Sequence, residues 1–391
     1  MRILLLSFYY PPDIGPGSLR AKSIVDALIE SGPSDLKIDV ITTMPNRYNS
    51  LKIGALVSET YDNISIQRII LPEHKNGIFD QAKAFLSFSF QVQKIIFKKK
   101  WDILIATSSR LMTASLGAWI AKQTKSKLFL DIRDIFTETV NNILAKKFYR
   151  IFVPIFNILE KWTFRSADKI NVVSEGFLNH FSKIVPNKFP SVYTNGVDEI
   201  FLNKKFISSK IRSKPLILYT GNIGEGQGLH KIIPEAANEL KNIQFRLIGD
   251  GSAKNLLIEN NLFKSQNNIE LLKPIMRENL LIEYQKADIL FLHLNSYNAF
   301  NKVLPSKIFE YAATGKPILA GVSGYASEFL LKHVNGIEIF NPCDLKNMKI
   351  GLEKLLNGPK IFNRDLFLNN YDRKSIMKKM AEEILSISKK I

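Results

Sequence analysis

Apolar runs and longer amphipathic stretches alternate along the first half of the chain. A run of about four to eight apolar residues between turn-forming residues predicts a buried strand, and the amphipathic stretches predict helices. The predicted strands span residues 2–8, 37–43, 64–71, 101–107, 127–131, 169–173 and 191–194, and the predicted helices span 19–30, 111–123, 145–166 and 175–184. This repeated strand-then-helix order predicts a parallel, doubly wound α/β sheet.

The same alternation begins again after residues 194–215, a polar and basic stretch that we interpret as a linker. Further strands are predicted over 216–220, 244–248, 269–272, 288–294, 317–322 and 337–340, with helices over 229–241 and 372–391. We therefore expect two doubly wound Rossmann-like domains facing a cleft, residues 1–197 and residues 198–371. The C-terminal helix, 372–391, is expected to pack back on the first domain.

Composition narrows the class of protein. The chain has 391 residues, of which 46% are hydrophobic, so it is long enough for two cores and too apolar to be disordered. The single cysteine, Cys343, excludes a disulfide framework, and the five histidines have no metal-ligand spacing. We therefore expect no metal and no cofactor. With neither a secretion signal nor an apolar run long enough to span a bilayer, a cytoplasmic location is expected.

The net charge of +18 requires an explanation. Nucleic acid, anionic lipid and a polyphosphate substrate are each compatible with it. Basic residues lie beside aromatic and aliphatic ones in residues 79–100 and 145–165, which is typical of contact with an anionic membrane surface. A core-facing helix with a solvated basic face is the alternative. Because no helix-turn-helix, RNA-binding or zinc-finger pattern is present, a nucleic-acid binder is the least favoured class.

Two glycine-rich turns lie between a predicted strand and the following helix. The first contains Gly15, Gly17 and Arg20, and the second contains Gly221 and Gly224. Backbone N–H groups at such a helix start bind phosphate, and a guanidinium can bind it bidentately. Neither turn has the complete dinucleotide or P-loop pattern, and an ordinary tight turn is the alternative. Two phosphate-capable turns favour a nucleotide-linked substrate.

Residues 304–328 combine a short helix and an apolar strand. Ser306 is the expected helix cap, and Glu310 lies in the first helical turn. The Glu310 carboxylate either complements the helix dipole or accepts a hydrogen bond from a sugar hydroxyl. Asp134, after the strand 127–131, is the candidate catalytic residue of the cleft. Strand termination and pairing with Arg133 or other neighbours is the alternative for Asp134.

Eight segments, in their order and spacing, resemble the family 4 glycosyltransferases with the GT-B fold, in particular the bacterial subgroup that builds O-antigen, capsule, lipopolysaccharide and related surface polysaccharides. The segments are FYYPPDIGPGSLR, DIRDIFTE, VVSEGF, TNGVDEIF, LYTGNIGEGQGL, FRLIGDG, ADILFLHL and PSKIFEYAATGKPILA. The likeness runs nearly end to end.

The resemblance implies a metal-independent, retaining hexosyl- or N-acetylhexosaminyltransferase of the EC 2.4 class. It implies a nucleotide-sugar donor, with UDP favoured, and a polyprenyl-diphosphate-linked glycan acceptor. The enzyme would be peripheral on the inner face of the cytoplasmic membrane. By position, Glu310 would bind the donor ribose, Gly221 and Gly224 the diphosphate, and Asp250 and Gly251 would lie near the base. Gly15 and Gly17 would form the N-domain loop that closes on the donor.

Three positions depart from the family pattern. Lys302 stands where the family has a second glutamate, and Asn222 and Gln227 stand where much of the family has Arg and Lys. A leaving diphosphate must be stabilised electrostatically, so we hypothesise that Lys307 supplies the charge, helped by Arg20 and Lys302. Lys307→Ala should then lower turnover far more than Lys316→Ala.

A GT-B relative with other chemistry, such as a nucleotide-sugar epimerase, is the alternative function. An epimerase needs no acceptor, so release of nucleotide only in the presence of a lipid-linked acceptor would separate the two.

Overall fold

The structure is a computed structural model that describes residues 1–46, 54–72, 78–108, 110–138, 153–207 and 213–389. The first part of the helix predicted over 145–166, with its basic residues, lies outside the described residues. So do residues 208–212 of the predicted linker and His74. The chain divides into unit 1, Met1–Asn195 with Arg373–Ile391, and unit 2, Gly196–Asp372.

Unit 1 contains an eight-stranded sheet in the order β3-β4-β2-β1-β5-β6-β7-β8. Among its described strands, only the β3–β4 pair is antiparallel. Its elements before the last helix are β1 (Arg2–Ser7), α1 (Pro16–Ser31), β2 (Lys37–Thr43), β3 (Ser58–Tyr61), β4 (Ile64–Ile69), α2 (Ile78–Ile96), β5 (Ile103–Ser108), α3 (Leu111–Thr124), β6 (Lys127–Ile132), α4 (Val153–Ser166), β7 (Lys169–Val172), α5 (Leu178–Ile184) and β8 (Ser191–Val192).

Unit 2 contains a six-stranded parallel sheet in the order β11-β10-β9-β12-β13-β14. Its elements are α6 (Glu199–Leu202), β9 (Leu216–Asn222), α7 (Leu229–Glu239), β10 (Gln244–Asp250), α8 (Lys254–Glu259), α9 (Asn261–Lys264), β11 (Ile269–Leu272), α10 (Arg277–Lys286), β12 (Ile289–His293), α11 (Lys307–Ala313), β13 (Ile318–Gly321), α12 (Tyr325–His333), β14 (Ile337–Phe340), α13 (Leu345–Asn357) and α14 (Asp365–Asn370). The doubly wound α/β fold predicted from the alternation is confirmed.

Burial explains why these runs become strands. Every residue of β5 and β12 is buried, because helices cover both faces of a parallel sheet and leave no polar face. Strand β3 was not predicted, since its sequence SETY is mostly exposed and has no apolar run. It pairs only with β4, at the edge of the sheet.

The final helix, α15 (Arg373–Ser386), packs against α1 in unit 1. Met377, Met380 and Ile384 belong to the same buried cluster as Ile24 and Leu28 of α1. Within the described part of the chain, no helix is long and apolar enough to cross a bilayer.

Candidate active site

The carboxyl ends of β9 and β10 bring four of the predicted residues together. Asn222 pairs with Asp250 across the two strands, and Gly221 pairs with Gly249. A Cβ atom on Gly249 would lie 1.8 Å from the Gly221 carbonyl oxygen, and one on Gly251 would lie 2.6 Å from the Ile223 carbonyl oxygen. Glycine is therefore required here because two backbones approach each other closely. Ligands of parallel α/β sheets bind at this edge.

Gly221 lies next to Lys307. Its φ is +140°, in the region that favours glycine, and a Cβ atom there would lie 3.4 Å from Lys307 Cε. Lys307 is the first residue of α11, so the helix start and the glycine turn are neighbours. The sequence placed these two features more than 80 residues apart in the chain; the sheet brings them together.

Lys307 and Glu310 form an ion pair at the start of α11. Lys307 Nζ lies 2.6 Å from Glu310 Oε2, and the same oxygen accepts a hydrogen bond of 2.8 Å from the Tyr284 hydroxyl. Lys307 Nζ also donates to the Tyr284 hydroxyl oxygen at 3.2 Å. The Tyr284 hydroxyl continues the network to Thr220 Oγ1 at 2.9 Å.

The electrostatics of this pair keep Glu310 charged. Burial alone would raise the pKa of Glu310, but the charges of Lys307 and Arg277 and the hydrogen bonds from Lys307 and Tyr284 outweigh burial and lower the pKa to about 2. Burial, followed by the charge of Glu310, raises the pKa of the Tyr284 hydroxyl well above its ordinary value. At neutral pH the site therefore contains a carboxylate acceptor beside an ammonium donor.

Two of the three departures from the family pattern, Asn222 and Gln227, meet in the second glycine turn. Asn222 Nδ2 donates to Gln227 Oε1 at 2.8 Å, and the Gly224 N–H donates to the same oxygen at 3.2 Å. The neutral side-chain oxygen of Gln227 thus accepts the hydrogen bond that the Gly224 N–H could otherwise donate to a ligand. An anion that bound Gly224 would have to displace that oxygen.

His293 supports this turn and was not singled out as a site residue from the sequence. It lies at the end of β12, where Nδ1 contacts the Gln227 carbonyl oxygen at 2.6 Å and Nε2 accepts from the Cys343 N–H at 3.0 Å. Burial is the main cause that lowers its pKa to about 4. His293 is therefore neutral, with its proton on Nδ1. Because both ring nitrogens contact backbone groups, His293 stabilises the turn and does not bind a ligand.

Three further residues of unit 2 were named from the sequence. Ser306 occupies the N-cap position of α11 as predicted, but its side chain makes no capping hydrogen bond; its carbonyl accepts from the Phe309 N–H instead. Lys302 is half-buried in a short 3-10 turn, Asn298–Lys302. Lys316 is fully buried and its ammonium donates to the Ala287 carbonyl oxygen, so it is unsuitable as a control for Lys307.

In unit 1, Arg20 is committed to a buried ion pair. Its guanidinium donates to both Asp131 carboxylate oxygens at 2.8 Å, and to the backbone carbonyls of Tyr193 and Thr194. Burial would raise the pKa of Asp131, but the charge and hydrogen bonds of Arg20 lower it. Arg20 is only 2% exposed. Arg20 therefore differs from the anion ligand that we expected. Its side chain points into the sheet, where its N–H groups already bind Asp131 and two backbone carbonyls.

Arg133 occupies the place expected for Arg20. A Cβ atom on Gly17 would lie 2.3 Å from Arg133 Nη1, so the guanidinium packs directly against the first glycine turn. From the sequence, Arg133 is expected only to pair with Asp134 or other neighbours. Its position immediately after β6, at the carboxyl edge of a parallel sheet, was the available signal.

Asp134 lies beside a small cavity that Arg110 and Glu160 also line. Close to it, His180 is held between two carboxylates, with Nδ1 3.0 Å from Glu138 and Nε2 3.1 Å from Glu160. Burial opposes a charged imidazole, but the hydrogen bonds and charges of both glutamates raise the pKa of His180 to about 9. The carboxyl edge of unit 1 is thus rich in ionised groups.

Comparisons with known proteins agree with this arrangement. Residues 201–374 match the family described as "Glycosyl transferases group 1". A stretch of 178 residues is 26% identical to the "Putative colanic acid biosynthesis glycosyl transferase WcaI" of Escherichia coli K12. That match covers 44% of this chain, and it spans less than half, 43%, of the relative's length.

Solved structures match over almost the whole chain. Sucrose-phosphate synthase from Thermosynechococcus elongatus has a TM-score of 0.69 at 13% identity, covering 99% of this chain and 96% of that one. Anabaena Alr3699/HepE, in complex with UDP and glucose, has a TM-score of 0.67 at 14% identity, covering 99% of both chains. WaaG, a glycosyltransferase involved in lipopolysaccharide biosynthesis, has a TM-score of 0.64 at 13% identity, covering 99% of this chain and 98% of that one. The likeness to the group 1 glycosyl transferases thus lies in residues 201–374, and the chain as a whole shares the two-domain GT-B fold of these solved structures.

Proposed function

We propose that this protein is a retaining glycosyltransferase that moves a sugar from a UDP-linked donor to a polyprenyl-diphosphate-linked glycan in surface polysaccharide biosynthesis. The observation that carries the proposal is the Lys307–Glu310 pair, which lies beside the glycine turn of unit 2. A carboxylate suits ribose hydroxyls, and an ammonium beside backbone N–H groups suits a diphosphate. WcaI and WaaG, both described as glycosyltransferases, and HepE, solved in complex with UDP and glucose, support the same class of reaction.

The proposed roles in unit 2 follow from position and charge. Glu310 accepts hydrogen bonds from the donor ribose, and Lys307 neutralises the diphosphate. The N–H of Gly224 contacts a phosphate oxygen once Gln227 has moved away, and the amide of Asn222 donates to the same group. Asp250 and Gly251 lie near the nucleotide base of the donor. The Ser306 hydroxyl, at the start of α11, lies near the donor phosphates. No metal is needed for this arrangement.

In unit 1, Gly15 and Gly17 are proposed to contact a phosphate, with Arg133 as the cation in place of Arg20. Asp134 positions the acceptor or the reacting sugar. In the reaction, the bond between the anomeric carbon and the donor phosphate breaks, and a bond to an acceptor hydroxyl oxygen forms on the same face of the sugar. The hydroxyl proton goes to the departing diphosphate, so no side chain needs to act as a general base.

Membrane contact is proposed from the outward face of α2. Leu86, Phe90 and Phe97 are 68%, 63% and 72% exposed, although the opposite face of the same helix is buried in the core. Lys94 Nζ lies 4.5 Å from the centre of the Phe90 ring. Exposed aromatic residues flanked by lysines suit the interface of an anionic bilayer. The enzyme would then act peripherally on the inner face of the cytoplasmic membrane.

Thermal-shift screening against nucleotides and nucleotide sugars tests the donor. A ligand that binds only the folded protein raises the unfolding midpoint, so a UDP-sugar should raise it most. Glu310→Gln should reduce that shift, whereas Glu328→Gln, which changes an exposed acid on α12, should not. The proposal is wrong if no nucleotide raises the midpoint. Nucleotide release without any acceptor would instead favour an epimerase.

A further inference from the structure

A concave site of about 380 Å³ lies where α2 and α3 end, at the amino edge of the unit 1 sheet. It lies at the opposite edge of that sheet from Gly17, Arg133 and Asp134, which follow the carboxyl ends of their strands. Four lysines line it, together with the exposed ring of Phe97. The four are Lys98, Lys99, Lys100 and Lys125, and they are called the lysine pocket below.

The positive charge of the lysine pocket is uncompensated. No acidic residue lines the site, and within the described part of the chain none of the four lysines forms an ion pair. The ends of α2 and α3 each contribute only about half a negative charge through the helix dipole. A surplus of about three positive charges therefore remains in one concavity. An anion that entered it would relieve the repulsion among the lysines.

Two of the four lysines adopt an unfavourable backbone conformation. Lys98 has a φ of +59° and Lys125 a φ of +56°, both in the left-handed region. Glycine or asparagine normally takes this conformation after a helix, because the Cβ atom of other residues lies too close to the following carbonyl oxygen. Unfavourable backbone conformations cluster at ligand sites, so these two positions favour a binding role for the cavity.

The surroundings favour a lipid over a free anion. Phe97 lies at the rim of the pocket and is 72% exposed, with Lys98 Nζ 5.5 Å from its ring centre. Phe90 and Leu86 continue the apolar stripe along α2. A soluble phosphate would gain nothing from this stripe, whereas a bilayer would bury it. We propose that the lysine pocket binds the phosphate headgroup of an anionic phospholipid while Phe97 enters the apolar layer. This inference deepens the membrane contact proposed above and rests on it.

Sedimentation of the full chain with vesicles tests the assignment. The vesicles are phosphatidylcholine with and without phosphatidylglycerol. A triple variant with Gln at Lys99, Lys100 and Lys125 should bind the anionic vesicles at least about tenfold more weakly than wild type. The matched control removes the same charge from exposed lysines of unit 2 and should stay within about twofold. Its substitutions are Lys264→Gln, Lys273→Gln and Lys332→Gln.

Each other outcome identifies what fails. Equal weakening in both triple variants would show that net charge alone binds the membrane, and would overturn the pocket. A wild-type protein that does not sediment would refute the membrane contact itself, while the nucleotide thermal shift would still report on the donor site. Displacement from vesicles by soluble glycerol phosphate, or a duplex DNA band shift lost only in the pocket variant, would assign the pocket to another ligand. Phe97→Ser should weaken vesicle binding without changing the unfolding midpoint.

Discussion

Glu310→Gln is the substitution that most directly tests the site. The change removes one charge and keeps the size of the side chain. Glu310 is buried, yet its partners hold it ionised. If these contacts stabilise the folded state, the variant should lose stability at neutral pH together with its affinity for nucleotide. Glu328→Gln, at an exposed position in α12, is the control and should change stability by less than about 0.5 kcal/mol.

The magnitude follows from the pKa. The pKa of Glu310 falls from an ordinary 4.5 to about 2 on folding. At about 1.4 kcal/mol for each tenfold change in the protonation constant, the ionised form contributes about 3 kcal/mol to stability. Because the folded pKa lies below the ordinary value, this contribution is complete above pH 4.5 and is lost as the pH falls toward about 2. The glutamine amide can retain a hydrogen bond, so about 3 kcal/mol is an upper bound.

Urea unfolding at several pH values measures this contribution. The difference in free energy of unfolding between wild type and Glu310→Gln should be largest at pH 7 and should fall to about half near pH 3. Tryptophan fluorescence reports on the unfolding of unit 1 alone, because all three tryptophans, Trp101, Trp119 and Trp162, belong to that unit. It therefore provides a comparison for unit 2, which contains Glu310. The far-ultraviolet circular dichroism reports on both units. An equal loss of stability at pH 7 and pH 3 would refute the electrostatic reasoning.

Three further predictions concern other charged groups. Lys307→Ala should lower turnover roughly 10²-fold because it removes the cation beside the diphosphate, whereas Lys332→Ala, at an exposed position of α12, should leave turnover near wild type. Arg20→Met should destabilise unit 1 by about 3–5 kcal/mol in urea unfolding, because it leaves the Asp131 carboxylate buried without its partner; a loss below about 1 kcal/mol would contradict that role. His180 has a pKa raised from 6.5 to about 9, so its contribution to stability is complete below pH 6.5 and is lost as the pH rises through about 9. Melting curves should therefore show a decline of wild type between pH 6.5 and pH 9 that is absent from His180→Gln, and parallel declines would count against the assignment.

Strands with both faces buried were predictable from the sequence. The apolar runs of β5 and β12 leave no ambiguity, because a parallel sheet covered by helices selects continuous hydrophobic segments. β3 escaped prediction because an edge strand needs neither apolar side chains nor a buried face. The short helices α8, α9 and α14 were also missed, since packing rather than local periodicity stabilises elements of that length.

The residues of the candidate site also differ in whether the sequence alone could predict them. Glycines at strand ends were recognisable locally, because Gly249 and Gly251 permit a close backbone approach and Gly221 adopts a positive φ that favours glycine. The sequence also determined that an acid and a lysine, Glu310 and Lys307, share one turn of helix.

Which cation faces which turn was decided only by the tertiary structure. Arg20 follows the first glycine turn directly, yet it points inward to Asp131 on β6, and Arg133 from beyond β6 takes the place beside Gly17. Lys316 is likewise buried, while Lys307 stands at the second turn. Sequence order specifies a residue's neighbours along the chain, as for Lys307 and Glu310. Strand order specifies its neighbours across the sheet, as for Arg20 and Asp131.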